Sequence, residues 1–117
     1  MTTTPIIDAH HHFWDLSLKK HPWLDGRHNI KSFRYGDYSE IQKNYLLEDY
    51  KNDWGNHQIV KSIYVETEWD PTDPIGETTW VQHYYERYGF PNASVGQVWF
   101  ENDNVDQVLA DHKQFPI

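Results

Sequence analysis

Ile6-Ile7-Asp8-Ala9-His10-His11-His12 is the stretch on which the reading of this chain turns. Its β-branched opening and its brevity predict a short strand rather than a helix. Side chains alternate along a strand, so His10 and His12 share one face and His11 takes the other. Two imidazoles side by side at the C-terminal end of a first strand can chelate one divalent ion. Asp8 falls on the same face one step earlier, where a carboxylate can orient an imidazole. Two histidines remain an incomplete ligand set, because catalytic zinc takes about three protein ligands. A hydrogen-bonded structural pair is the competing reading. A tag remnant is a third, and the run onward into Phe13-Trp14-Asp15 speaks against it.

Outward from this strand the pattern alternates. Phe13 to Asn44 has no single period and is broken by Pro22, Gly26 and Gly36, yet Phe13, Trp14, Trp23, Phe33, Tyr35 and Tyr38 predict an ordered, packed loop. Tyr45 to Asp53 reads as a short helix ended by Gly55. Ile59 to Glu66 reads as a second strand. The loop Asp70-Pro71-Thr72-Asp73-Pro74 follows, since its prolines forbid regular structure. Glu77 to Tyr88 reads as a helix with Trp80, Val81, Tyr84, Tyr85 and Tyr88 on one face and Gly89 as its stop. Ala93 to Phe100 reads as a third strand. Asn104 to Lys113 reads as a third helix with Val105, Val108, Leu109 and His112 on one face. Repeated βα alternation implies a parallel sheet with covering helices.

Composition narrows the function classes. The 117 residues are the size of one modest domain. A formal charge of −8, from 18 acidic against 10 basic residues, disfavours binding to nucleic acid. No apolar run predicts a membrane span or a signal segment. The absence of cysteine excludes disulfides, thiolate zinc sites and cysteine nucleophiles. A cytoplasmic location fits these features. The apolar fraction of 38% leans on aromatics at 16%, so a compact aliphatic core is not expected, and open sheet edges predict association or a homo-oligomer.

Ile7-Asp8-Ala9-His10-His11-His12-Phe13-Trp14-Asp15 resembles the opening strand of the amidohydrolase-related family, whose members include fuconolactonase-like and pyrone-dicarboxylate lactonase-like hydrolases. The segment Ile63-Tyr64-Val65-Glu66-Thr67-Glu68-Trp69-Asp70-Pro71, running on to Thr78, is similar as well, and Val95-Gly96-Gln97-Val98-Trp99-Phe100 is a softer match. The resemblance implies an α/β fold: the N-terminal three βα units of a TIM-like (β/α)8 barrel, incomplete in this chain, with residues 1–117 forming part of one amidohydrolase-type domain. It also implies His10 and His12 as metal ligands or polarising groups. Glu66 and Trp69 become substrate-binding candidates, with a solvated rim carboxylate and plain loop packing as their competing readings. The cofactor expected is a divalent metal, zinc or manganese, or none if the chain follows the metal-free lactonases of the family. The general base is expected outside this chain. His57, His83 and His112 match no family motif and are read as structural.

The function expected is hydrolysis of a small lactone, derived from a sugar acid or an aromatic compound. A decarboxylase of the same superfamily is a neighbouring reading. A non-catalytic truncated fragment or interaction module and a phosphoesterase are rivals from other classes; basic residues near the strand ends would favour the last, and they are few.

Overall fold

The computed structural model describes residues 4–26 and 36–117. Phe33 and Tyr35 lie outside the described residues. The strand β1 spans Pro5–His11, the helix α1 Leu47–Asp53, β2 Gln58–Val65, α2 Gly76–Tyr88, β3 Ala93–Val95 and α3 Val105–His112. The sheet is parallel throughout in the order β1-β2-β3. Ile6 pairs with Ile59 and His11 with Tyr64, while Val65 pairs with Val95. The alternation predicted the parallel sheet and its three helices.

The barrel expectation is corrected. The described residues form a small α/β domain on an open three-stranded sheet, with a core of their own, and not the first units of a TIM-like barrel. Two physical reasons stand behind the difference. The third strand is only Ala93–Val95 rather than a run to Phe100, because the chain beyond it turns back into packing contacts. Gln97 there donates its amide N–H to the Trp69 carbonyl at 3.0 Å, and its own carbonyl accepts from His112 Nε2 at 2.8 Å. The core, moreover, is built from rings. Phe13, Tyr50 and Tyr64 pack with Leu47 and Val81, and Trp54, Trp80, Tyr84 and Phe90 close around them. Large aromatic side chains remove much apolar area each, which offsets the shortage of aliphatic residues.

The polar inside of this core is a knot around Glu77, in the first turn of α2. Its Oε2 accepts from Tyr64 Oη at 2.6 Å, from Thr67 N at 3.0 Å and from Thr67 Oγ1 at 2.7 Å. Since the Thr67 hydroxyl donates to Glu77, His21 Nε2–H donates to Thr67 Oγ1 at 2.8 Å. Burial pushes the Glu77 carboxyl above its ordinary range, and the donors from Tyr64 and Thr67 pull against that. The buried stripe of α2 is accordingly Glu77, Thr78, Val81 and Gln82, whereas Tyr85 and Tyr88 stand in solvent. The apolar periodicity is rotated because Glu77 finds donors inside and Gln82 Oε1 accepts from Ile117 N at 3.0 Å. Gly89 ends the helix as expected, at φ 81°, with its N–H on the Tyr85 carbonyl.

The helix α3 is pinned by one imidazole. His112 Nε2–H donates to the Gln97 carbonyl, so Nδ1 carries a lone pair and accepts from Thr78 Oγ1 at 2.9 Å. Gly96 lies against the same ring, and a Cβ there would stand 2.8 Å from His112 Cε1. Gly96→Ala is expected to push His112 off both partners and lower stability by about 1–3 kcal/mol, as overpacking does. Chemical denaturation of the two proteins checks this, with an unchanged midpoint as the contrary result.

Candidate functional site

Parallel sheets present their functional groups beyond the C-terminal ends of the strands. His12 stands just past β1, Glu66 just past β2 and Gly96 just past β3. His10 and His12 bring their rings to 5.1 Å between centroids, nearly perpendicular at 81°. The strand places them together on one side, and His11 turns to the other. His12 Nδ1–H donates to the Val65 carbonyl at 2.8 Å. That bond holds the ring and leaves Nε2 with the lone pair, the state a metal ligand or an acceptor requires.

His11 is a core group. It is 7% exposed, stacks on Tyr50 at 4.3 Å and pairs its Nε2 with Ser62 Oγ at 2.8 Å. Burial lowers its pKa from 6.5 to about 4, and burial does the same to His21. Asp8 does not orient an imidazole from below. The register of β1 on β2 shifts between Asp8 and His11, which breaks strict alternation. The Asp8 carboxylate instead accepts from Tyr50 Oη at 2.7 Å and from the His10 backbone N–H at 3.1 Å.

Glu66 is half-buried at the end of β2. Its backbone N–H donates to the Val95 carbonyl at 3.0 Å, and its Oε2 accepts from Glu68 N at 2.7 Å. Glu68 takes the left-handed backbone region at φ 53°, so the chain doubles back beside the carboxylate. Glu66 lines a groove with Glu68, Gln97 and Trp99 at the ends of β2 and β3. Trp69 is enclosed, at 4% exposure. Its ring meets His21 and Trp80, and Nε1 donates to Asp73 Oδ2 at 3.1 Å. Lys20 Nζ bridges to the same Asp73 oxygen at 3.0 Å.

Among the described residues no group of three or more His, Cys, Asp or Glu is arranged to hold a metal ion. The donor set that the structure brings together is therefore His10 with His12, the latter with its nitrogen already selected. Sequence reasoning missed the Val65 carbonyl, because a backbone acceptor leaves no residue signature. The pairing of β1 with β2 was the signal that could have found it.

Comparison with known proteins returns one relative. The chain is 40% identical over 116 residues, 98% of its own length, to a protein of Sinorhizobium fredii described as uncharacterized protein y4mH. It spans 38% of that relative's length. No family model matches the chain, and no solved structure matches it. No helix among the described residues is long and apolar enough to cross a membrane.

Two buried imidazoles with depressed pKa values set an acid limit. The folded state binds fewer protons than the unfolded chain, so stability is fully present above about pH 6.5 and is lost as pH falls toward 4. The melting temperature is expected to fall through that window. His21→Gln, whose amide can still donate to Thr67 Oγ1, should flatten the slope; a melting temperature constant from pH 7 to 4 would contradict the assignment.

Proposed function

We propose that this chain contributes the carbonyl-polarising pair of a lactone hydrolase similar to the amidohydrolase-related enzymes. The observation that carries the reading is the His10–His12 pair, with its rings side by side and His12 Nδ1 tied to the Val65 carbonyl. The motif resemblance around Phe13-Trp14-Asp15 and Glu66 supports it. The chemistry is water attack on the ester carbonyl carbon of a small lactone, cleavage of the ring C–O bond and release of a hydroxy acid. Substrates derived from a sugar acid or an aromatic compound fit the resemblance, and the enzyme works in the cytoplasm.

A zinc or manganese ion held here would take one nitrogen from each of His10 and His12 and would polarise the carbonyl. The described residues fill two ligand positions, which is short of a closed site. In the metal-free mode the same two imidazoles act on the carbonyl oxygen directly, as hydrogen-bond donors once protonated. Glu66 accepts a hydrogen bond from the substrate through the carboxylate oxygen that Glu68 leaves open. Trp69 acts through the Asp70–Pro74 loop that it anchors beside the site. None of these residues is placed to activate the attacking water.

Metal analysis of the purified protein, with a lactone panel run on this chain and on full-length y4mH, tests the reading. His10→Ala or His12→Ala should abolish bound metal, whereas His11→Ala should cost stability and leave the site's metal affinity unchanged when measured below the melting temperature. Turnover that survives metal removal selects the metal-free mode. Lactone hydrolysis that survives His10→Ala and His12→Ala unchanged would refute the proposal. Glu66→Gln should weaken substrate affinity without moving the melting temperature.

A further inference from the structure

A cleft of about 500 Å³ opens between β1 and α1, on the Asp8 side of the strand and separate from the Glu66 groove. Four aromatic side chains, Trp14, Tyr45, Tyr50 and Trp54, line it together with the carboxylates of Asp8 and Asp53. Each carboxylate is fixed by a phenol: Tyr50 Oη donates to Asp8 Oδ2 at 2.7 Å and Tyr45 Oη to Asp53 Oδ2 at 2.5 Å. Burial, reinforced by those carboxylates, pushes both phenol pKa values up, so both phenols keep the proton they donate. No Lys or Arg is among the residues lining the cleft. Electron-rich ring faces around two fixed negative charges repel anions and attract a large, weakly hydrated cation.

A second observation is independent of the charges. His11 lines the same cleft at 7% exposure, and its Nδ1 has no hydrogen-bond partner among the described residues. With Nε2 paired to Ser62 Oγ, Nδ1 is a buried ring nitrogen left open, and that is an unsatisfied cost.

We infer that the cleft between β1 and α1 binds an organic ammonium ion that also carries a hydroxyl group. The aromatic side chains wall the cationic head, Asp8 and Asp53 neutralise it, and His11 Nδ1 pairs with the hydroxyl. His12 also lines the cleft, but ammonium binding needs no turnover at the His10–His12 pair, so the inference can stand if the lactone reading fails.

The test is a titration of the full chain followed through the indole N–H resonances of Trp14 and Trp54. Three probes are used: choline, its neutral isostere 3,3-dimethylbutan-1-ol, and tetramethylammonium, which lacks the hydroxyl donor. Choline is expected to shift both resonances to saturation and to bind about tenfold or more tighter than the neutral isostere, with tetramethylammonium between them. Asp53→Asn, at an exposed position where the amide oxygen can still accept from Tyr45, should weaken choline several-fold with an unchanged melting temperature. Equal binding of choline and the neutral isostere would overturn the inference. So would indole resonances that do not respond to choline, including the case in which self-association already covers the cleft.

Discussion

The Glu77 carboxylate is the point through which most of this fold is tied. It gathers donors from β2 through Tyr64 and from the loop after β2 through Thr67, and Thr67 in turn receives His21 from the long connection after β1. A carboxylate taken out of water is costly unless its lone pairs are used. Three donors converge on one of its oxygens, which binds α2, β2 and the His21 turn into one unit. Oε1 is buried without a partner among the described residues, so loss of any donor to Oε2 would add to an existing cost, and the elements are coupled more strongly than their separate hydrogen bonds suggest. The aromatic core then closes around an arrangement whose geometry is already fixed.

That knot also sets where the candidate site sits. The turn at Thr67 follows directly on Glu66, and the Val65 carbonyl that orients His12 is two residues before it. The position of the His12 ring is thus inherited from the packing of α2 against the end of β2. His10 and His12 gain their mutual placement from one strand, but the selection of the His12 nitrogen needs the neighbouring strand in register.

Local patterns in the sequence carried much of this. Strand parity separated His11 from His10 and His12, and the βα alternation predicted a parallel sheet. Gly89 marked the end of α2 because only a left-handed residue closes that helix cleanly. What was not legible depends on contacts distant in sequence. The inward stripe of α2 is polar at Glu77 and Gln82, and apolar periodicity cannot anticipate a buried carboxylate whose donors lie at positions 64 and 67. Asp8 left the imidazole face because of a register irregularity that alternation does not encode. The third strand ended at Val95 because Gln97 and His112 recruited the following residues. The enclosure of Trp69 came from Trp80 and His21, one on a helix and the other in a connection with no period of its own.

The bond from His12 to the Val65 carbonyl has a consequence for how this chain tolerates mutation. Imidazoles in functional sites are commonly steered by a carboxylate, a backbone carbonyl or a water, and a single codon change can delete a carboxylate partner. Here the steering atom belongs to the peptide backbone. Replacement of the Val65 side chain by another strand-forming residue leaves the acceptor in place, as does drift at most surrounding positions. Only a proline placed to distort the strand end, or an insertion that slips β2 against β1, would take it away. The poise of His12 is therefore protected by architecture, and the lineage can vary the side chains at this strand end without disturbing the nitrogen that faces the site.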